Sequence, residues 1–495
     1  EHGVGIARTE YLADHLGPEL VAATRAIKQL FDPNGAMNPG KIVDNGRYRI
    51  DGDLRLGVGS TLEPVLAGHL GFVDRDRSFI ANLEQCNGCG GCLKDDPTMC
   101  PTFDATGDEA LSTRGRANVI RAALEGRFGQ DPVLAPELAE VLDSCLSCKA
   151  CKTECPSNVD LAALKAELAA TRHAVRSPSL FDRLIAWSDL AGRLGTSVPW
   201  LANAVLGWRP ARIVLKHALG VARDGPLPPF SRHRFDRWFR HRHGNGPGPG
   251  PGVILWDDTW VRYHEDGVGR AAVAVLEAAG FSVSLLDDRK CCGRPAASRG
   301  MLDEVRRVGE HNLGLLVHRR EPVVFLEPSC YSVFVDEYRQ LGLAGADEVA
   351  GRSVLIEDLL LDRLAGPDPV AMPWNGSSRV VAVHGHCHTK ALADPSTASA
   401  LLKLVPGVTV HTLDTGCCGM AGAFGMLADN RELARAVAEG LLRAIRDLPS
   451  GAEIVAAGTS CRHQIGHLAG VEALHPIEVM ADALDGSVAV SVADS

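Results

Sequence analysis

Apolar positions follow two regimes along the chain. Up to about residue 243 they recur at helical spacing: around Val21 to Leu30, from Thr113 to Gly126, from Val159 to Val175, and through much of 176–243. Beyond that point short apolar runs alternate with helical stretches. Val253 to Trp256 and Val380 to Val383 each read as a strand opening a half of this region. In both halves a helix, a second strand and a Cys-Cys-Gly follow, Cys291-Cys292-Gly293 and Cys417-Cys418-Gly419. Another helix then leads to a third strand ending in Ser-Cys, Ser329-Cys330 and Ser460-Cys461. Strands alternating with helices predict α/β layers, here built twice. No apolar run reaches the length that spans a bilayer.

Composition divides the chain further. Residues 46–80 read as linker, 81–175 hold eight cysteines between short helices, and 244–252 alternate Gly and Pro as a linker does. The predicted domains are 1–45, 81–175, 253–365 and 378–485, with 176–252 a helical and Gly/Pro-rich connection. Residues 1–45 open on Glu1-His2-Gly3-Val4-Gly5 and close on Asn38-Pro39-Gly40-Lys41. A domain rarely begins inside such a motif, so a chain truncated at its N-terminus is expected. A net charge of −10 without a long basic arm argues against nucleic acid. Fifteen cysteines, most in clusters with ligand-like gaps, argue against a secreted disulfide framework and for a reducing cytosol.

The cysteine spacings carry the chemistry. Cys86, Cys89 and Cys92 are followed by Cys100-Pro101; Cys145, Cys148 and Cys151 are followed by Cys155-Pro156. Three cysteines at two-residue gaps wrap one cubane, and in two-cluster ferredoxins the last Cys of each motif serves the other cluster. One [4Fe-4S] cluster is therefore assigned to Cys86, Cys89, Cys92 and Cys155, and the second to Cys145, Cys148, Cys151 and Cys100. A pair of zinc ribbons is the alternative, but it needs no third cysteine at that gap. Seven residues, rather than three, separate Cys92 from Cys100. Lys149 and Lys152 flank the second cluster, and Asp95 and Asp96 lie near the first, so the second is expected to have the higher potential.

The second Cys-Cys-Gly copy offers four thiolates, Cys387, Cys417, Cys418 and Cys461, as a metal or further cluster requires. Buried inert thiols or a disulfide are the alternatives. The first copy has three, Cys291, Cys292 and Cys330; counted from the strand starts, its counterpart of Cys387 falls near Trp260. His384, His386 and His388 surround Cys387 as ligands, proton carriers or plain loop residues. The arginines and aromatics of Ser231 to His243 read as a helix packed on the body with its arginines solvated, or as a contact for anionic lipid or an acidic partner.

These motifs resemble a known family. The Cys-Cys-Gly repeats, with Asp414 to Gly422 and Ser460-Cys461-Arg462, are similar to the cysteine-rich domains of heterodisulfide reductase, glycolate oxidase iron–sulfur subunits and anaerobic glycerol-3-phosphate dehydrogenase. Cys86 to Pro101 with Ser112-Thr113-Arg114-Gly115-Arg116 resembles the iron–sulfur part of fused FAD/iron–sulfur dehydrogenases. The opening motif and Asn38-Pro39-Gly40-Lys41 resemble the C-terminal end of the FAD-linked oxidase domain of D-lactate and D-2-hydroxyglutarate dehydrogenases. The resemblance implies an α-helical two-cluster ferredoxin-like module between a short remnant of an FAD-linked oxidase domain and two α/β repeats. It implies FAD and a divalent metal in a longer protein, with Glu1 a metal ligand, His2 facing a small D-2-hydroxy acid, and Asn38 in the cofactor-binding stretch. Without the FAD phosphate-binding subdomain, tight FAD binding and turnover by these residues alone are not expected. The usual final Cys-x2-Cys of a cluster-binding repeat is reduced to Cys461 with Gln464. The implied acceptor is a quinone, a cytochrome or an electron-transfer protein, reached from the cytosol or from peripheral contact with the inner face of the membrane. A heterodisulfide-reductase-like protein and a non-redox, metal-stabilised interaction module are the rival readings.

Overall fold

The computed structural model describes residues 3–47, 49, 62, 66–94, 99–222, 225, 227–242, 250–376 and 378–485. Glu1 and His2 lie outside these residues, as do Asp95 and Asp96. The chain separates into two compact units, Glu1–Pro64 and Val65–Ser495. In the first, Pro18 starts a helix that runs to Phe31. The Asp32 carboxylate fixes the chain beyond it, accepting the Ala36 and Met37 N–H groups at 2.8 and 2.9 Å and pairing with Lys28. Asn38 is exposed with φ 45°, and its carbonyl accepts the Lys41 N–H.

The second unit begins with a helical module. Leu83, Ile120, Leu138, Leu161, Leu164 and Leu168 are buried together in one core with most of the eight cysteines. The segment after residue 65, read from sequence as linker, is fastened to this module. Glu167, 1% exposed, accepts N–H groups from Gly68, His69 and Leu70 at 2.6–3.1 Å, and Phe72 packs edge-on against Phe79. A buried carboxylate needs donors, and this stretch of main chain supplies them.

Helices Leu180–Ala186, Ser188–Gly195, Pro199–Gly207 and Arg209–Leu219 lead to helix Phe235–Arg242. The basic-aromatic run does not present its phenylalanines to a partner. Phe235 and Phe239 are in the core, and Asp236 pairs with Arg234 and Arg240. Trp238 lies under Arg242 and Arg270. Phenylalanines four residues apart on one helix share a face, and that face is buried.

The repeats form two four-stranded parallel sheets of identical order. The first is β2-β1-β3-β4, with β1 Gly252–Trp256, β2 Ser282–Ser284, β3 Val323–Phe325 and β4 Ser353–Leu355. The second is β6-β5-β7-β8, with β5 Arg379–His384, β6 Val408–Leu413, β7 Glu453–Ala456 and β8 Ala473–Leu474. Val253, Leu255 and Val324 of one sheet share a core with Val381, Val383 and Val455 of the other, closed by helices Asp266–Ala278 and Pro476–Asp482. Each sheet buries one face in the core shared with the other copy and its second face in a core of its own, and the loops carrying the cysteines follow the strand ends. Among the described residues no helix is long and apolar enough to cross a membrane.

Candidate electron-transfer site: four groups of cysteines

Both motifs of the helical module turn in the same way around their middle cysteine. The residues before and after Cys89 are Gly88 and Gly90, with φ 77° and 72°; those around Cys148 are Ser147 and Lys149, with φ 51° and 64°. Glycine adopts this left-handed conformation freely, whereas Ser147 and Lys149 adopt it against a steric cost. The paired left-handed turns bring three sulfurs to one side of each loop.

Cys86, Cys89, Cys92 and Cys155 line one small cavity together with Gly91 and Pro156. Cys100 does not line it. Cys148 and Cys151 each lie within electrostatic reach of Cys100 and Cys145. Cys155 thus sits with the three sulfurs of the first motif, while Cys100 lies within electrostatic reach of Cys92 as well as of Cys145, Cys148 and Cys151. Helix Thr113–Leu124, capped by Ser112, points its first N–H groups at both groups: Thr113 donates to Cys100 Sγ at 2.9 Å and Arg114 to Cys92 Sγ at 3.3 Å. Burial pushes the Cys100 thiol up to about 11. Arg116, 2% exposed, is held by the Val141 carbonyl, Thr102 and Ser144, and with Lys165 favours the charged form of Cys145. Four thiols apiece, main-chain donors aimed at sulfur and apolar walls fit two [4Fe-4S] clusters.

Lys149 and Lys152 are not free charges beside the second group. Lys149 pairs with Asp336 and Glu337 at 2.6 and 2.7 Å, and Lys152 with Asp336 and Asp74 at 2.7 Å. The positive field from which a higher potential was expected is cancelled by carboxylates of the first repeat and of the segment after residue 65. Asp95 and Asp96, the other half of that expectation, lie outside the described residues.

In the second repeat Cys387, Cys417, Cys418 and Cys461 form a chain of neighbouring sulfurs. Their mutual contacts split them: Cys417, beside Cys387 and then Cys418, and Cys461, beside Cys418, are held well below the ordinary thiol range, while Cys387, beside Cys417, and Cys418, beside Cys417 and Cys461, are pushed well above it. The thiolate is the form that binds metal. Among the described residues no three of His, Cys, Asp and Glu meet the arrangement of a single metal-ion site; a cluster spreads its ligands over several corners instead. His384 contacts Thr415 at 2.9 Å. His386 caps its helix by accepting the His388 N–H, and His388 contacts the Ser147 carbonyl at 3.3 Å.

The first repeat holds three cysteines, with Cys292 and Cys330 sulfurs 3.0 Å apart. The counterpart of Cys387 is Thr259, not Trp260. Strand register pairs Trp256 with Phe325 and His384 with Ala456, and three residues beyond those strand ends stand Thr259 and Cys387, each the first residue of a helix. The count from the strand starts falls one residue late because β5 runs one residue past its apolar stretch, to His384, whereas β1 ends on Trp256. The Thr259 side chain lies against Cys291 and its hydroxyl is buried.

One cavity of about 350 Å³ joins these groups. Cys291, Cys292 and Cys330 line it from the first repeat and Cys387, Cys417 and Cys418 from the second, while Cys148 reaches it from the helical module. Cys148 also feels the charge of Cys417. Arg294 and His388, one from each repeat, both reach the carbonyl of Ser147 beside Cys148. Sequence reasoning missed Thr259, Arg294 and Glu327 as neighbours of the thiols, and Asp336 as the partner of Lys149 and Lys152, because none belongs to a cysteine motif.

Three family descriptions match this chain. "FAD linked oxidases, C-terminal domain" matches residues 1–42, "4Fe-4S dicluster domain" residues 82–159, and "Cysteine-rich domain" residues 259–334 and 381–466. The D-2-hydroxyglutarate dehydrogenase of Pseudomonas putida is 28% identical over 97% of this chain and 50% of its own length. A component of the anaerobic glycerol-3-phosphate dehydrogenase of Escherichia coli is 28% identical over 66% of this chain and 83% of its own. The glycolate oxidase iron–sulfur subunit of Escherichia coli is 24% identical over 81% and 94%. The chain thus spans about half the length of the D-2-hydroxyglutarate dehydrogenase it matches. It carries, in order, a C-terminal segment of an FAD-linked oxidase domain, a 4Fe-4S dicluster domain and a cysteine-rich domain present twice.

Proposed function

We propose that the chain is the electron-relaying portion of an FAD-linked D-2-hydroxy-acid dehydrogenase. The observation that carries this reading is the unbroken succession of thiols from the exposed Cys89, through two mixed groups of four, to Cys148 and Cys417 on one cavity. Bound FAD would supply two-electron chemistry toward the hydroxy acid, and iron–sulfur clusters held by the cysteines would supply one-electron transfer. Cys86, Cys89, Cys92 and Cys155 would hold one [4Fe-4S] cluster, and Cys100, Cys145, Cys148 and Cys151 the other. The Thr113 and Arg114 N–H groups stabilise negative charge on sulfur, as do Arg116 and Lys165 near Cys145. Cys387, Cys417, Cys418 and Cys461 would hold a further metal or cluster, with the first repeat mainly a scaffold. Glu1 would ligate a divalent metal, His2 would take the hydroxyl proton, and Asn38 would contact the flavin region. The substrate is a D-lactate-, D-2-hydroxyglutarate- or glycolate-like acid. The acceptor is a quinone, a cytochrome or an electron-transfer protein.

A second reading has the cysteine-rich repeats perform thiol–disulfide chemistry themselves, and the cavity they share favours it. The two readings separate in one experiment on the longer protein with its flavin-binding half. A D-2-hydroxy acid, and not its L-enantiomer, bleaches the iron–sulfur absorbance under the relay reading. Bleaching by a dithiol alone, with no response to any hydroxy acid, selects the second reading.

A further inference from the structure

The first repeat lacks the fourth thiol of its counterpart, yet its three cysteines converge. The Cys292 and Cys330 sulfurs stand 3.0 Å apart, although 38 positions separate them in sequence. Cys291 lies against both Cys292 and Thr259. Both loops are held from behind. The Cys292 carbonyl accepts the Tyr338 hydroxyl at 2.7 Å, and the Cys291 carbonyl accepts an Asn312 side-chain N–H at 3.1 Å. Cys330 is on helix Pro328–Ser332, where the Glu327 carboxylate accepts the Ser329 N–H. A disulfide bond is about 2.05 Å long, so the two sulfurs need to close by roughly 1 Å.

None of these three thiols is held in the charged form, as Cys417 and Cys461 are in the second repeat. Contact with Cys292 and then burial push Cys291 well above the ordinary range, and burial does the same for Cys292. Contact with Cys292 favours the charged form of Cys330, but burial outweighs it and lifts the thiol to about 12. Thiols that keep their protons have to give up two when such a pair closes. An acceptor stands nearby. Asp258 is 2% exposed, and its Oδ2 has no hydrogen-bond partner among the described residues. Its Oδ1 caps helix Thr259–Tyr263 by accepting the Trp260 and Val261 N–H groups. The charge of Asp258 reaches Cys330. Burial and then Glu327 raise this carboxyl to about 7, where it can take and return a proton.

All three cysteines line the cavity of about 350 Å³, so a small molecule that enters it meets the pair. We propose that Cys292 and Cys330 form a redox-active dithiol that exchanges with small-molecule disulfides. Cys330, the sulfur nearer in charge to Asp258, attacks the small disulfide as its proton passes to that carboxylate. The first small thiolate leaves with the proton. Cys292 then attacks the mixed disulfide and releases the second small thiol. Two protein thiols and one small disulfide become one protein disulfide and two small thiols, with both protons on the released thiols. The pair shares its class of chemistry with the second reading above, but lies outside the four candidate ligands of the second repeat and needs neither flavin nor hydroxy acid.

The test is disulfide mapping of the full chain, purified with its iron under anaerobic conditions. The chain is equilibrated with mixtures of glutathione and glutathione disulfide, alkylated, digested and read by mass spectrometry. A Cys292–Cys330 link is expected to form as glutathione disulfide rises and to reopen with glutathione, at unchanged iron content. Cys292→Ser is expected to trap glutathione on Cys330. Asp258→Asn keeps the helix cap through Oδ1, and is expected to close at least about tenfold more slowly while reaching the same final ratio of disulfide to dithiol. Cys292 and Cys330 remaining free in every mixture overturns the proposal, and so does a link that forms only in step with loss of iron. An unchanged rate in Asp258→Asn overturns the proton path. Closure of the pair while a dithiol leaves the iron–sulfur absorbance unbleached upholds the proposal and removes the second reading alone.

Discussion

Glu357 lies buried between the repeats, and neither carboxylate oxygen has a hydrogen-bond partner among the described residues. Burial pushes its carboxyl up to about 8 from an ordinary 4.5. The folded chain then keeps a proton that the unfolded chain loses, so stability falls as pH rises from about 4.5 through 8. Glu357→Gln, neutral at all pH, is expected to melt higher than the parent at pH 8.5 and nearly together with it at pH 4.5. The gap at the higher pH is up to roughly 4 kcal/mol. His475 works in the opposite sense: burial lowers it to about 3, so its contribution grows as pH rises from about 3 to 6.5. Melts across pH 4–9 read both effects, and a difference that does not change with pH contradicts the burial argument. The same scale distinguishes the repeats. Cys418→Ala is expected to lower bound metal beyond two clusters' worth, whereas Cys292→Ala leaves it unchanged and costs about 1–2 kcal/mol of packing. Metal analysis of the two variants beside the parent checks this. The cysteine motifs were legible in sequence because ligand spacing is local. Thr259 was misplaced because its position depends on where a strand ends, which register fixes and an apolar run does not.

Gly419 closes the second Cys-Cys-Gly turn at φ +79°, and a Cβ there would stand 2.0 Å from the Ala434 carbonyl oxygen. Gly419→Ala therefore strains the backbone and drives the turn off helix Arg431–Arg446. A loss of about 2 kcal/mol or more is expected in chemical denaturation, with the metal content of the second repeat falling alongside. An unchanged midpoint contradicts this. Helices of the repeats could be read from periodicity because each buries one face, and strands from short apolar runs because both faces of each sheet are covered. The segment after residue 65 could not, since it has no periodicity and is held by Glu167 about a hundred residues away. The exposure of Trp200 and Trp208, 69% and 62%, was illegible for a related reason. An apolar stripe announces a helix, and only the folded chain shows which side it turns to.

At the scale of the whole molecule, Asp336 joins the dicluster domain to the first repeat through Lys149 and Lys152. Lys149 is 3% exposed, so Asp336→Asn leaves a buried cation with Glu337 as its remaining ion-pair partner among the described residues. A cost of roughly 3 kcal/mol is expected, with faster hydrogen exchange in residues 145–155 than in the core of the repeats. The order of the domains was legible because each piece has its own signature. Their docking was not, because Asp336 is far in sequence from the lysines it neutralises. Two clusters built from interleaved motifs would carry electrons toward the cavity. The most direct measurement is electron paramagnetic resonance of the reduced full chain, parent and Cys100→Ser, with iron determined on the same samples. About eight irons from two cubanes are expected in the parent, plus whatever the second repeat holds. In the variant the signal of the cluster at Cys145, Cys148 and Cys151 is expected to change while that at Cys86, Cys89 and Cys92 persists. Loss of the Cys86 signal with the other intact contradicts the interleaving, and a parent free of iron contradicts the relay itself.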